Sequence, residues 1–302
     1  MTMFDANDLG MVMVMNIPLA ALCAESSRGL PRWVALGVIF ASLGVITLTG
    51  SRGAFLGLAA VSTCLFFVLR RVPIYRRVAS VAALVLGVVM FAPAAYWTQM
   101  STMLRPSEDY NAKAEIGRVA IAKRGFGYMR ERPFSGVGIN NFARAEGSRS
   151  GRAASKDGNR WIAPHNTFVQ VGVELGFAGL TLWVALLYAS SFSLFRLGRK
   201  LRQYSLPESR FLEQCCRYVP VATIGFVVCS TFLSHAYSPP GHCLFAIAAG
   251  LHLTGRTAVR QGRHVRGRHR PTRNLTAPAS SAMICSGEYA ERGLIASTAP
   301  FH

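Results

Sequence analysis

The stretch WVALGVIFASLGVITLTGS, residues 33–51, contains no Asp, Glu, Lys or Arg and is apolar on every side. An α-helix rises about 1.5 Å per residue, so about 20 such residues cross the hydrocarbon layer of a bilayer. A helix at the surface of a soluble protein carries a single apolar stripe instead. This stretch therefore predicts a membrane-spanning helix.

Other charge-free stretches of the chain predict further spans. The expected spans are residues 9–23, 33–50, 54–69, 78–97, 166–195, 218–234 and 240–254. The last two come from one long apolar stretch, which Pro239-Pro240-Gly241 interrupts. The predicted fold class is all-α: a polytopic integral membrane protein with about seven transmembrane helices.

The few charged residues predict the orientation of the chain. Lys and Arg number 33 against 14 Asp and Glu. The basic residues cluster at 28–32, 70–77, 196–217 and 256–273. Alternating spans place all four clusters on one side, which the positive-inside rule identifies as the cytoplasm. Attraction to anionic lipid accounts for the last cluster, so no nucleic-acid partner is expected.

Four regions follow from these spans. Residues 1–97 hold the first four spans, 98–164 form one large extracytoplasmic loop, 165–254 hold the last three spans, and 255–302 form a disordered basic cytoplasmic tail. Within the loop, apolar residues recur at helical spacing and predict an amphipathic helix on the membrane surface that ends before Pro133. These residues are Ile116, Val119, Ala120, Phe126 and Met129.

The turn Thr49-Gly50-Ser51-Arg52-Gly53 is the first candidate for chemistry on the non-cytoplasmic side. An arginine in or near a membrane span is costly, and it indicates a functional site by default. Snorkelling of Arg52 to lipid head groups is the alternative interpretation. The planar guanidinium suits a phosphate or carboxylate ligand.

The loop supplies the second candidate. Arg118 begins the basic face of the predicted helix, and a plain solvated surface is the alternative interpretation. Pro133, Gly136 and Gly138 then predict a tight turn whose amides could bind an anion.

The third candidate is Pro164-His165-Asn166-Thr167, directly before the fifth predicted span. Asn166 or Thr167 can cap the incoming helix, which places His165 at the membrane surface on the same side as Arg52. Imidazole, with a reference pKa of about 6.5, suits a general base near neutral pH. A purely structural histidine is the alternative.

The helix that follows carries Gly172, Gly176 and Gly179, which predict close packing of another helix. Glu174 is a candidate for an interhelical or site-facing contact. Metal-binding patterns such as His-Glu-x-x-His or paired Cys do not occur, and His235 and His242 are only weak candidates for metal ligands. We therefore expect no metal and no cofactor.

The order and spacing of these motifs resemble those of the O-antigen ligase and polymerase superfamily of bacterial envelope enzymes. The branch of exosortase-associated O-glycosylation ligases is the most similar. The matching pieces are Asp5-x-Asn7, Thr49-Gly-Ser-Arg-Gly53, Gly117-Arg118, Pro133-x-x-Gly-Val-Gly138 with Asn141-Phe142, and Pro164-His-Asn166 leading into Glu174-Leu-Gly176. Members of the superfamily carry more spans, so the resemblance implies that this chain lacks the N-terminal ones.

The resemblance implies a glycan ligase or oligosaccharyltransferase in the bacterial inner membrane, with its active site on the periplasmic side. Such an enzyme moves a glycan from undecaprenyl diphosphate to an acceptor hydroxyl of a glycan, lipid or protein. Arg52 and Arg118 would contact the diphosphate, and His165 would activate the acceptor hydroxyl. Supporting roles would fall to Asn166, Glu174, Gly136 and Gly138. A polymerase of the same fold and a non-catalytic polysaccharide export component remain alternatives.

Overall fold

The computed structural model describes residues 5–69, 72–102, 118–149, 163–204 and 207–268. These parts of the chain contain helices and no strand, which confirms the all-α prediction. The helices are α1 (Ala6–Ser26), α2 (Leu30–Thr49), α3 (Arg52–Val68), α4 (Ile74–Phe91), α5 (Ala94–Ser101), α6 (Arg118–Glu131), α7 (Phe142–Arg149), α8 (Thr167–Leu201), α9 (Pro207–Ser230) and α10 (Pro239–Arg268).

Within the described ranges, four helices are long and apolar enough to cross a membrane: α1, α2, α8 and α9. The bent pair formed by α4 and α5 would make a fifth. The predicted count of seven spans is not confirmed. Helix α3 is apolar but only 17 residues long, and α10 is charged beyond Gly255, where Arg256 and Arg260 are exposed.

The predicted span at residues 78–97 is not one straight helix. Helix α4 ends at Phe91, and α5 starts at Ala94 in a direction that differs by 105°. Proline has no backbone N–H to continue a helix, and it forces the preceding residue into an extended conformation. Ala92, directly before Pro93, is extended accordingly, with φ −72° and ψ 125°.

Helix α10 extends past the predicted tail boundary at residue 255 and continues to Arg268. Packing against α8 accounts for the added turns. A Cβ atom on Gly255 would lie 2.5 Å from Leu197, and one on Gly262 would lie 2.5 Å from Tyr204. Contact with a neighbouring helix stabilises turns that composition alone leaves undecided. The rest of the predicted tail, residues 269–302, lies outside the described residues.

Small residues bring α1, α3 and α9 close together in the core. A Cβ atom on Gly57 of α3 would lie 2.4 Å from the Cys229 sulfur of α9 and 3.2 Å from Val14 of α1. Gly225 of α9 likewise faces Val14 and Val61. Glycines at a crossing allow two helix backbones to approach closely, as is common among membrane helices.

Helices α1, α3, α8 and α10 start at one end of this bundle, where α2 and α9 finish. Gly10 near the start of α1 lies against Thr49 at the end of α2, and Asp8 contacts His235, which follows α9. We call this the cleft end. At the opposite end, Gln214 near the start of α9 donates to Glu25 near the end of α1 at 3.2 Å.

The described residues of the basic clusters lie by the helix termini of the opposite end, as the alternating arrangement predicts. The Gly50–Gly53 bend and the Pro164–Asn166 junction share the cleft end. Arg70, Arg71, Arg270 and Arg273 belong to the predicted clusters but lie outside the described residues.

Candidate functional site

The start of α8 places His165 in an unusual backbone conformation. Asn166 caps the helix, since its side-chain oxygen accepts from the backbone N–H groups of Phe168 at 2.9 Å and Val169 at 3.1 Å. This confirms the predicted cap. His165 directly precedes it with φ 45°, a left-handed value that costs a non-glycine residue about 1–2 kcal/mol. Such strain persists only where the surrounding structure holds it.

Residues 233–236, within the 231–238 connection between α9 and α10, provide that support. The His165 backbone N–H donates to the Ser234 hydroxyl at 2.9 Å. The Thr167 hydroxyl donates to the Leu233 carbonyl at 2.8 Å and accepts from the His235 N–H at 2.9 Å. A further backbone N–H, that of Ala236, donates to the Gln170 side chain at 3.3 Å. Hydrogen bonds thus join the start of α8 to this connection, with donors in both segments.

A cleft of about 330 Å³ opens between these elements and the start of α1. His165 lines it together with acidic, amide and hydroxyl side chains. Its polar lining residues are Asp5, Asp8, Asn140, His165, Gln170, Ser234, His235, Tyr237 and Ser238. Such a lining suits a polar ligand rich in hydroxyl groups.

The electrostatic environment keeps the His165 imidazole neutral. Burial lowers the pKa of His165 below its usual 6.5, and the positive charge of Arg118 lowers it further. The carboxylates of Asp5 and Asp8 oppose this shift and raise the pKa. Because the net direction is downward, the imidazole is mainly unprotonated at pH 7 and can accept a proton there.

The structure brings Arg118 near His165 and places Arg52 at the same end of the bundle. Arg118 is the first residue of α6, and its charge acts on His165. Arg52 is the first residue of α3, and its Nη1 atom donates to the Thr102 hydroxyl at 3.3 Å. Neither arginine is among the described residues that line the cleft. Any ligand held by both would extend beyond the cleft itself.

The turn that carries Arg52 is tightly packed. Gly50 adopts a left-handed conformation with φ 60°, and a Cβ atom there would lie 2.7 Å from Gln99. Gly53 lies against Phe232, at the start of the 231–238 connection. Ser51 caps α3 by accepting from the Ala54 N–H. This packing links the Arg52 turn to the segment that supports His165.

The predicted loop helix exists as α6, and it ends before Pro133 as expected. Its buried face packs against α8: Gly125 lies against Val169 and Val173, and Met129 is 1% exposed. Val119 and Phe126 are exposed, whereas Ile116, Gly117 and the preceding residues of the motif lie outside the described residues. The packing against α8 fixes the position of Arg118 relative to the bundle.

The Pro133–Gly138 turn does not offer its glycine amides to an anion, contrary to expectation. The Gly136 N–H donates to the Arg132 carbonyl at 3.0 Å, and the Gly138 N–H donates to the Glu174 carbonyl at 2.9 Å. Gly136 and Gly138 are required here for their left-handed φ values of 62° and 95°.

The turn joins a break in α8. Gly176 has φ 69°, so the regular α8 ladder is interrupted there. The carbonyls of Val173 and Glu174 accept from Val137 and Gly138 instead, both at 2.9 Å, and the Phe177 N–H donates to the Pro133 carbonyl at 2.7 Å. Gly172 does allow close packing, since a Cβ atom there would lie 2.6 Å from Met129 of α6, but the break at Gly176 means that Gly172, Gly176 and Gly179 do not form one continuous packing face.

Glu174 connects the break to the other elements of the site. It is 1% exposed, and its carboxylate accepts from the Phe142 backbone N–H at 3.2 Å. Tyr237, which lines the cleft, lies close enough that the Glu174 charge, together with burial, raises the pKa of its phenol. Glu174 thus forms the predicted interhelical contact, which joins α8 to the start of α7.

Several residues of the site carried little signal in the sequence. The sequence predicts Thr167 only as a possible helix cap, and Ser234 lies between Leu233 and His235 in a largely apolar stretch. Gln170, four residues before Glu174, shares with it the prediction of an interhelical or site-facing contact. The sequence indicates His235 only as a weak candidate for a metal ligand, whereas the structure pairs it with Asp8 at 2.8 Å. The acidic Asp5-x-Asn7-Asp8 segment at the start of α1 was the one available indication.

Comparison with known protein families gives a match to the middle part of the chain. The O-antigen ligase family matches residues 37–184, which contain Arg52, Arg118, His165 and Glu174. This segment belongs to the O-antigen ligase and polymerase superfamily. A search of the curated proteins found no match.

Proposed function

We propose that this protein transfers a glycan from undecaprenyl diphosphate to an acceptor hydroxyl. The observation that carries the proposal is His165 itself: an imidazole in a left-handed backbone conformation, on a polar cleft, with a pKa that burial and Arg118 lower. Family membership supports a membrane protein of the O-antigen ligase or polymerase type. The structure and the family are both compatible with an acceptor that binds in the cleft.

In this mechanism the acceptor O–H gives its proton to the His165 imidazole as its oxygen bonds to the anomeric carbon. The bond from that carbon to the phosphate oxygen breaks, and the diphosphate leaves with the electron pair. Arg118 and Arg52 stabilise the charge that develops on the leaving group. No nucleotide takes part, because the donor is already activated as a diphosphate ester.

The proposed site faces the periplasm. The basic clusters lie at the opposite end of the bundle, and positive charge marks the cytoplasmic side of membrane proteins. The polyprenyl tail of the donor would then lie in the bilayer beside the helices. Its diphosphate would reach the outer surface near Arg52.

The test replaces His165 by Ala in the full-length protein, expressed in cells that lack their own copy. We expect transfer to fall at least about 100-fold, since a positioned general base contributes that much or more. His242→Ala is the matched control, because His242 is exposed on α10 and does not line the cleft. Normal glycan attachment by the His165 variant would contradict the mechanism.

The products of the same strains distinguish the two activities of this superfamily. A ligase attaches a glycan to a different acceptor, whereas a polymerase lengthens a lipid-linked glycan. Accumulation of short lipid-linked repeats in the His165→Ala strain would assign polymerase activity. Accumulation of complete lipid-linked chains would assign ligase activity.

A further inference from the structure

We propose that Asp8 and His235 form a pair in the wall of the cleft that positions His165, acting through the 233–236 segment. Both residues lie outside the matched segment 37–184. The effect of the pair on transfer rests on the proposed function, but its effect on His165 can be measured without any substrate.

The pair is short and partly shielded from solvent. His235 Nε2 lies 2.8 Å from Asp8 Oδ1, and the exposed fraction is 6% for the His235 side chain and 21% for the Asp8 side chain. Asp8 is in the first turn of α1, where the helix dipole stabilises a carboxylate. A pair of this kind restrains the distance between α1 and the 231–238 connection, because separating the partners leaves the buried imidazole N–H unsatisfied.

The positioning effect passes to His165 through adjacent residues. Ser234, next to His235 in the chain, accepts the His165 backbone N–H at 2.9 Å. The His235 backbone N–H donates to Thr167, two residues after His165. The 231–238 connection therefore contacts Asp8 through the His235 side chain and contacts the strained residue His165 through Ser234. Without the pair, we expect His165 to leave its left-handed conformation more often.

A second carboxylate provides a control that distinguishes the effect of the Asp8 charge from the effect of its contact with His235. Asp5 lines the same cleft and also raises the pKa of His165. Its carboxylate accepts from the Asn7 side chain at 2.9 Å. Asp5→Asn thus removes one negative charge near His165 and leaves the Asp8–His235 contact in place.

The experiment follows the reaction of diethyl pyrocarbonate with His165 in the full-length protein in detergent. Mass spectrometry of the peptide that contains His165 reports the rate at each pH. A histidine side chain reacts with this reagent only as neutral imidazole, so the profile for the His165 peptide yields an apparent pKa and a limiting rate. The charged or titratable groups facing His165 are Arg118 from α6, Asp5 and Asp8 from α1, and His235 and Tyr237 from the connection.

We expect Asp8→Ala and His235→Ala to raise the limiting rate at least about fivefold, because losing this polar contact weakens local order. Asp5→Asn should lower the apparent pKa of His165 but leave the limiting rate unchanged. His235→Gln should retain the wild-type rate, since its amide N–H can occupy the place of Nε2–H. The shorter side chain in His235→Asn should behave like Ala.

Two results would overturn the proposal. In the first, Asp8→Ala and His235→Ala change the limiting rate no more than Asp5→Asn does. The other is a His235→Gln protein that reacts like His235→Ala. If an alanine variant does not fold, the proposal is tested by comparing the limiting rates of the His235→Gln and His235→Asn proteins.

The activity measurement separates this proposal from the proposed function. Where the wild-type protein transfers glycan, Asp8→Ala should lower kcat about 10-fold with little change in KM. A wild-type protein without transfer, whose His165 reactivity nevertheless follows the expected pattern, would contradict the proposed function and support the positioning role. An unchanged kcat in Asp8→Ala would contradict the positioning role.

Discussion

The two ends of the helical bundle both contain charged side chains, but their surroundings differ. At the opposite end, Glu213 is 2% exposed and contacts Arg202 at 2.8 Å and Arg217 at 3.3 Å. At the cleft end, the Asp8 carboxylate contacts an imidazole, and both groups line an open cleft with His165.

This difference shows that charge density alone does not indicate a functional site. The carboxylates of the opposite end contact guanidinium groups and other donors: Arg217 also contacts Glu25 at 3.5 Å, and Tyr218 donates to the Glu25 carboxylate. These neighbouring groups largely neutralise the negative charge of the carboxylates. The cleft end combines charge with a strained residue, helix starts and an accessible volume, and these features together mark a place for a ligand.

The largest effect expected from this comparison is a loss of glycan transfer when Arg52 at the cleft end is replaced. Arg52→Lys should lower transfer about 100-fold, because a single ammonium replaces a planar group of several donors. Arg199→Lys is the control at the opposite end, where Arg199 is exposed above the Phe195 ring. Glycan transfer by equal amounts of folded protein is the measurement. Equal losses in both variants would mean that the two ends do not differ in function.

A moderate effect on stability is expected at the opposite end. Glu213→Gln should lower the free energy of unfolding by about 2 kcal/mol, less than for a fully buried pair because the Arg202 side chain is 58% exposed. Thermal unfolding in detergent would measure this. Glu208→Gln, at an exposed position of α9, is the control. Transfer per folded molecule should be normal; a selective loss of transfer would place catalytic function at this end as well.

The smallest effect concerns the pH dependence of His165. Arg118 lowers its pKa, so Arg118→Gln should raise that pKa. Since the base must be unprotonated, the acidic limb of the pH profile should move to higher pH. The pH dependence of His165 carbethoxylation gives the shift directly. Movement to lower pH would show that Arg118 does not act on His165 through its charge.

Hydropathy predicted much of the fold, because long charge-free stretches have few alternatives to membrane helices. Helices α1, α2, α8 and α9 overlap four of the predicted spans. Hydropathy failed where local geometry decides. Pro93 bends the fourth span, and packing against α8 extends α10 past Gly255.

The site was predicted in part. The cap at Asn166, the start of α6 near Arg118 and the shared end of the Arg52 turn and His165 followed from short motifs. The roles of Gly136 and Gly138 did not follow. A glycine-rich turn that binds an anion and one that joins a broken helix have the same local sequence, and only the partner in space distinguishes them.

The break at Gly176 has a consequence for shortening the chain. Two carbonyls of α8 receive their donors from residues 137 and 138, rather than from their own helix. Deleting the segment around this turn would leave both oxygens unsatisfied in apolar surroundings, at a cost of several kcal/mol each. The segment is therefore an integral part of the bundle, and a minimal version of this protein must retain it.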